Sequence, residues 1–93
     1  NNVWMRRLAL VATVPLNLSS RGGGGDTGRT LLICREAVTD HQDMVVKALS
    51  WALRSLIRWD KDAVGIFMEN YESQLHKRVI REVNHKLNFG TKN

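Results

Sequence analysis

Residues 47–58, KALSWALRSLIR, restrict the fold more than any other stretch, because their apolar positions recur with the period of an α-helix. A second side of the same helix carries cations around one aromatic ring. The broad apolar arc consists of Val45, Ala48, Leu49, Ala52, Leu53 and Leu56, and the mixed side consists of Lys47, Trp51, Arg54 and Arg58. A helix with these two sides packs along one and presents aromatic and cationic groups along the other.

The mixed side has two interpretations. In the first, Trp51 belongs to the core and the cations form an ordinary solvated surface. In the second, the row binds an anionic polymer, because cations pair with phosphates and aromatic rings contact cationic or stacked groups. These residues alone favour the first interpretation.

The remaining segments also have helical periodicity, and no segment alternates convincingly with period two, so the sequence predicts an all-α fold. Asn1 or Asn2, Thr39 or Asp40, Asp60 and Ser73 are the expected N-caps, and Pro15 is expected to end the first helix. The predicted helices cover residues 2–14, about 27–38, about 41–59, 61–70 and 74–88. Their expected inward residues include Leu31, Leu32, Cys34 and Val38 in the second helix and Leu75, Val79, Val83 and Leu87 in the fifth.

The connections between these helices indicate stacked hairpins. Very short turns join the second helix to the third and the fourth to the fifth. Trp4 and Trp51 are separated by a spacing close to the roughly 40-residue period of HEAT-like repeats, lengthened by a glycine-rich loop at 16–27. The expected architecture is an α-solenoid of about five helices. On this reading, residues 1–93 are a C-terminal fragment whose first helix completes an earlier repeat.

Composition narrows the function only in part. The 93 residues suit one small domain, and 14 Lys+Arg against 9 Asp+Glu give a net charge of +5, which favours phosphate-rich partners. The fifth helix has a basic side interrupted by Glu82. Cys34, the only cysteine, cannot form an intrachain disulfide, occupies an apolar helical position, and fits a reducing, intracellular location. No apolar run approaches the roughly 20 residues of a membrane span.

Other constellations are weak. Residues 23–30, GGGDTGRT, nearly match a phosphate-binding P-loop, but Arg29 replaces the lysine and no strand is predicted before it. A flexible connector is the better interpretation. His76 and His85 do not share a helix face, so no metal site is expected, and no cofactor is expected either.

Three segments together resemble one family. VWMRRLAL at 3–10, MVVKALSWALRSL at 44–56 and HKRVIREVNHKLNFGTKN at 76–93 look like the C-terminal part of the DNA alkylation repair family, the AlkD-like DNA glycosylases built from HEAT-like repeats. The resemblance covers nearly the whole chain apart from the glycine-rich loop. It implies hydrolysis of the N-glycosidic bond of alkylated purines such as N3-methyladenine and N7-methylguanine, in duplex DNA gripped through its backbone.

The implied chemistry is simple. Alkylation leaves the base positively charged, so it departs without a general acid, and the enzyme mainly stabilises an oxocarbenium-like sugar and positions a water. By the resemblance, Trp51 lines the lesion site as the catalytic-site residue of this chain. Either Arg6 or Arg7 contacts a backbone phosphate, and Arg7 is preferred. Trp4, Lys47 and Arg54 are further candidates for contacts with DNA.

The resemblance also marks what these residues do not supply. The catalytic aspartate of the family is expected in a preceding repeat, and Asp26, Asp40, Asp43 and Asp60 sit in predicted loops or caps. The chain is therefore expected to be incomplete as an enzyme, and to act as a bacterial-type cytoplasmic monomer. The alternative is a non-catalytic helical-repeat scaffold that binds protein or nucleic acid.

Overall fold

The longest element of the structure is helix α3, Asp43–Tyr71, and each of the other helices packs against it. The computed structural model describes residues 2–17 and 25–89. Besides α3, these ranges contain α1 (Val3–Val11), a short 3-10 helix (Val14–Asn17), α2 (Thr27–Arg35) and α4 (Lys77–Phe89), and no strand. The predicted all-α class is confirmed.

The first half of α3 forms the centre of the core. All six residues of its predicted apolar arc are buried, and none is more than 4% exposed. Burial extends beyond that arc to Val46, Ser50 and Ile57, because α1, α2 and α4 cover α3 from different sides. Cys34 is fully buried against the same core, as predicted, and burial raises the pKa of its thiol to about 12.

Asp60 divides α3 into two helical halves, residues 43–59 and 61–71. Its backbone leaves the helical region, with φ −153° and ψ 72°. Its Oδ1 accepts from the Ala63 amide at 3.1 Å, as an N-cap does, and its Oδ2 accepts from Thr27 Oγ1 at 3.1 Å. The predicted boundary between the third and fourth helices is therefore correct.

Helix α1 begins as predicted and ends earlier. The Asn2 side chain caps it by accepting from the Met5 amide at 2.9 Å. The helix stops at Val11 rather than at Val14, because the amide and the hydroxyl of Thr13 both turn back to the Leu10 carbonyl, at 3.0 and 2.7 Å. Pro15 lies within the 3-10 helix that follows.

Helix α2 is shorter than predicted, and one of its expected core residues faces solvent. It ends at Arg35, and the chain continues in turns to residue 39. Leu32 is 54% exposed, whereas Thr30 and Cys34 are buried. Since Leu32 lies two positions from Cys34, about 200° away around the helix, the two side chains cannot face α3 together.

Two predicted caps were wrong. Asp40 does not cap α3, which follows Gln42 without a side-chain cap; its Oδ1 instead accepts from the Gln42 amide at 3.0 Å. Helix α4 begins at Lys77, so Ser73 does not cap it, and His76 Nδ1 accepts from the Arg78 amide at 3.0 Å. The predicted inward stripe of the fifth helix is confirmed: Leu75, which precedes α4, and Val79 and Val83 are buried, and Leu87 is partly buried.

Asn17 fixes the start of the glycine-rich connection. Its buried side chain donates to Thr30 Oγ1 at 3.0 Å and to the Thr13 carbonyl at 3.2 Å, and it accepts from the Asp26 amide at 2.9 Å. Trp59 Nε1 donates to the Asn17 carbonyl. Both ends of the connection are thereby tied to the core, while its residues 18–24 lie outside the described part of the chain.

The near match to a P-loop at 23–30 falls partly outside the described residues. Within them, Asp26 caps α2 by accepting from the Arg29 amide at 3.1 Å, and its carboxylate lies 3.6 Å from Arg29 Nε. Arg29, which stands where a P-loop has lysine, therefore pairs with the cap of its own helix. This arrangement gives the nucleotide-binding interpretation no support.

Gly25 closes the connection against Trp59, and this contact is testable. Gly25 has φ +90°, and an added Cβ would lie 2.8 Å from Trp59 Cγ. We expect Gly25→Ala to lower the free energy of unfolding by at least about 1 kcal/mol, because the backbone conformation and the ring both oppose a side chain. Gly65→Ala is the control: it lies in a helix with open space around it, and should raise stability by about 1 kcal/mol. Urea unfolding measures both, and an unchanged Gly25→Ala variant would contradict the contact.

Candidate nucleic-acid interface

A groove between α1 and the first half of α3 brings together three of the predicted site residues. It encloses about 270 Å³. Its lining consists of Arg7, Val11, Met44, Lys47, Ala48 and Trp51. Trp51 is 45% exposed, so the interpretation that it belongs to the core is wrong. The groove combines an aromatic ring with two cations and has no acidic residue in its lining.

The two neighbouring arginines of α1 have different surroundings. Arg6 Nε lies 2.5 Å from Asp40 Oδ2 in a partly buried ion pair, which ties α1 to the turn between α2 and α3. Arg7 lines the groove and, among residues 2–17 and 25–89, makes no ion pair. The difference follows from their 100° separation around the helix: one side chain points to the turn, the other to α3.

Trp4, which the resemblance made a candidate for a contact with DNA, is not among the residues that line the groove. It is 63% exposed, and Met5 and Leu8 beside it are each 57% exposed. Trp4 and Leu8 are four positions apart and Met5 and Leu8 three, so the three side chains form an exposed apolar ridge on α1.

Lys47 has a carboxylate partner on its own helix. Its Nζ lies 3.1 Å from Asp43 Oδ2, one helical turn earlier, and Arg78 Nη1 of α4 lies 3.8 Å from Asp43 Oδ1. The side chains of Lys47 and Asp43 are 56% and 71% exposed, so their pair is weak and exchanges readily with other ions. Asp43 therefore links α3 to α4 and leaves the Lys47 ammonium accessible to other anions.

Arg54 is oriented towards α4 by a chain of hydrogen bonds. Its Nε donates to the Ser50 carbonyl at 3.2 Å and contacts Ser50 Oγ at 3.1 Å. Ser50 Oγ donates to Glu82 Oε1 at 2.6 Å, and Arg78 Nε donates to Glu82 Oε2 at 3.1 Å. Arg54 is thus held at one nitrogen. Arg58, which the sequence placed in the same row, instead stacks on Trp59, with Cζ 5.6 Å from the ring.

Glu82 and Lys86 of α4 both interact with the charge of Arg54, and the sequence did not single them out. Partial burial alone would raise the pKa of Glu82, but hydrogen bonds from Ser50 and Arg78, and the charges of Arg78 and Arg54, lower it below its ordinary value of 4.5. Partial burial, followed by the charge of Arg54, lowers the pKa of Lys86. The basic side of the fifth helix was visible in the sequence, but its pairing with Ser50 and Arg54 was not, since these residues are about 30 positions away.

The chemistry of this region suits an anionic partner. No cluster of three or more metal-binding side chains exists in the described part of the chain, so the site offers no metal centre there. Within the same ranges, no helix combines the length and apolar character needed to cross a membrane. The most distinctive feature of the groove is therefore the pairing of Arg7 and Lys47 with the exposed ring of Trp51.

The role of Glu82 gives the fold a specific response to acid. Because its pKa in the folded state is lowered, the carboxylate stabilises the fold above pH 4.5, and this stabilisation is lost as the pH falls through the lowered value. Glu82→Gln should therefore reduce the free energy of unfolding at pH 7, and the deficit should vanish in strong acid. Glu69→Gln, an exposed acid of α3, is the control, and urea unfolding at several pH values is the measurement. A deficit that is equal at all pH values would contradict the assignment.

Comparison with known proteins agrees with the geometry. A family model described as DNA alkylation repair enzyme matches residues 1–87. No curated protein and no solved structure matches the chain significantly. The match spans α1 to α4, and includes the groove with Arg7, Lys47 and Trp51 as well as Glu82 and Lys86. The chain therefore belongs to the DNA alkylation repair enzyme family.

Proposed function

We propose that this chain binds duplex DNA during the repair of alkylated bases, with the groove of Arg7, Lys47 and Trp51 as its contact surface. One observation carries the proposal: two helices place Arg7 and Trp51 in one groove, while the neighbouring Arg6 is used to hold the fold. The match to the DNA alkylation repair family supports DNA as the partner. The groove belongs to a single copy of the chain, so a monomer suffices.

Each residue of the groove has a distinct physical role in the proposal. The Arg7 guanidinium takes a backbone phosphate, because its planar donors match phosphate oxygens. Lys47 adds a second positive charge. Its ion pair with Asp43 is exposed and weak, so replacing the carboxylate by a DNA phosphate costs little free energy. The exposed ring of Trp51 faces the positively charged alkylated base or the sugar as it gains positive charge, and is attracted to either by a cation–π interaction.

The hydrolysis of the N-glycosidic bond requires more than this groove. No acidic residue lines the groove. The two nearby carboxylates are already paired with cations: Asp43 with Lys47, and Glu82, which also accepts from Ser50, with Arg78. We propose that the aspartate that acts on alkylated purines lies in another HEAT-like repeat of the same protein. The chain then contributes Trp51 and phosphate contacts to a cytoplasmic glycosylase.

A second candidate function is a non-catalytic scaffold. The exposed apolar ridge of Trp4, Met5 and Leu8 favours it, because exposed apolar side chains that cluster on one helix suit a contact with protein. Such a contact would depend little on salt. Binding to DNA depends on it strongly, since each phosphate that the protein neutralises releases condensed counterions.

The DNA proposal predicts a specific salt dependence. The chain should bind a fluorescein-labelled duplex of arbitrary sequence, with log K falling linearly in log[salt]. Arg7→Gln should reduce the magnitude of the slope by about 0.9, the value for one phosphate contact in duplex DNA. Arg35→Gln, an exposed arginine at the end of α2, is the matched control and should keep the slope. Fluorescence anisotropy between low and physiological salt gives both values.

Two results would overturn this assignment. Absence of binding by the unmodified chain at low salt would exclude the DNA role and leave the scaffold. Equal slopes for Arg7→Gln and Arg35→Gln would remove Arg7 from the interface.

The role of Trp51 predicts discrimination between damaged and undamaged DNA. The chain should prefer a duplex with one N7-methylguanine over the same duplex with guanine, by between about 2-fold and 30-fold, the range of one cation–π contact. Trp51→Ala should abolish this preference while it retains most of the affinity for undamaged DNA, and Trp51→Phe should keep part of it. Competition anisotropy with the two duplexes is the measurement. A preference that survives in Trp51→Ala would show that the ring does not contact the lesion.

A further inference from the structure

A second groove, the α2–α3 groove, lies between α2 and the second half of α3, and encloses about 430 Å³. Its wall on α2 consists of Gly28, Leu31, Leu32 and Arg35, at i, i+3, i+4 and i+7. Four residues from Ala63 to Asn70 repeat this spacing on α3. All described residues that line it differ from those that line the groove of Trp51, so one surface can be occupied without the other.

Both walls begin at the same end. Thr27, at the start of α2, donates to Asp60, which caps the second half of α3, at 3.1 Å. From there each helix lines the groove for about two turns. Arg35 of α2 and Asn70 and Tyr71 of α3 therefore lie towards the far end.

The interior of the α2–α3 groove is apolar, and its two rims are exposed. Phe67 is buried and packs against the ring of Tyr71, with the two centroids 4.7 Å apart. Leu32 on one wall and Ile66 on the other are 54% and 58% exposed. An apolar partner that covers both rims removes their exposed surface from water, which favours binding.

The charge of the α2–α3 groove is positive. Among the described residues that line it, Arg35 is the only charged one, and it makes no ion pair with residues 2–17 or 25–89. Three acidic residues next to lining positions contribute to other surfaces. Glu36 lines a pocket between α1 and α2, and Asp62 and Glu69 line one between α3 and α4. The complementary partner is therefore apolar and carries an acidic group that reaches Arg35.

The shape of the groove favours a helix as its occupant. A small ligand would stay largely in water, because both rims are more than half exposed. An extended peptide would leave its own backbone groups without partners, since the backbones of α2 and α3 are bonded within their helices. A helix satisfies its own backbone and inserts side chains at i, i+4 and i+7 between two such walls.

A second copy of the chain does not complement the α2–α3 groove. Its exposed apolar ridge lies on α1, which contains two arginines and no acidic residue. Its exposed Phe89 follows Lys86 on α4. Either surface would bring cations towards Arg35, and like charges oppose docking. The occupant that the charges favour is a different protein.

We infer that the α2–α3 groove docks an amphipathic helix of another protein, which places apolar side chains between Leu32 and Ile66 and an acidic residue beside Arg35. The inference does not rest on the DNA proposal, because the two surfaces share no described lining residue. With both surfaces occupied, the chain holds this partner on DNA.

The test uses a fluorescein-labelled peptide of about 16 residues, rich in alanine and therefore helix-forming, with leucines at i, i+4 and i+7 and one glutamate at i+11. Fluorescence anisotropy at physiological salt should show binding to the unmodified chain. Leu32→Ser and Ile66→Ser should each weaken it by about 5-fold to 10-fold, the effect of covering the exposed half of a large apolar side chain. Leu8→Ser is the matched control: Leu8 is 57% exposed on α1, does not line this groove, and should bind the peptide unchanged.

A charge swap tests the role of Arg35. The unmodified chain should prefer the glutamate peptide to the same peptide with lysine by between about 2-fold and 30-fold, because one exposed pair changes from attraction to repulsion. Arg35→Glu should reverse this preference. Arg35→Gln should remove it while the salt slope for duplex DNA is retained.

The outcomes separate this inference from the proposed function. Absence of binding by either peptide, or equal effects of Leu32→Ser and Leu8→Ser, would overturn the docking site and leave the DNA proposal standing. Two further results would overturn it in favour of another occupant. A dimer of the unmodified chain in sedimentation equilibrium that Leu32→Ser abolishes would assign the groove to a second copy, and displacement of the peptide by laurate below its micellar concentration would assign it to a small apolar anion.

Discussion

The burial of the first half of α3 is the interaction on which the rest of the structure depends. Leu49, Leu53 and Leu56 are at most 1% exposed, and each buried side chain of this kind contributes about 1.5–3 kcal/mol to folding. The helices α1, α2 and α4 pack around this one element. Because three sides of the helix are covered, Lys47 and Trp51 occupy the strip that stays open, with a cationic helix on each flank.

The two residues at the end of this helical half organise the second half of the molecule. Asp60 ends one helical run, caps the next and accepts a hydrogen bond from Thr27. Trp59 holds the Asn17 carbonyl and packs on Gly25, so the glycine-rich connection is tied down where it leaves and rejoins the core. Closing a loop between ends that are already fixed adds little entropy cost for each extra residue, so this connection tolerates length without disturbing the groove.

Local features were predictable from the sequence, and features that depend on the choice of a distant partner were not. The apolar arc of α3, the Asn2 cap and the Asp60 boundary involve residues a few positions apart, and all three are confirmed. The inward placement of Leu32 failed because the face of α2 that meets α3 is set by packing. The sequence likewise preferred Arg7 to Arg6 only by resemblance; the ion pair between Arg6 and Asp40, 34 positions apart, supplies a structural reason for their different surroundings.

The same distinction explains why the sequence does not show how Arg54 is held. In the sequence, Glu82 merely interrupts the basic side of a helix. In the structure, its carboxylate accepts a hydrogen bond from the Ser50 hydroxyl, which in turn contacts Arg54, so one carboxylate of α4 holds a cation of α3 in place. The charge of Arg54 also lowers the pKa of Glu82, so this cation and this carboxylate stabilise each other across the junction of α3 and α4.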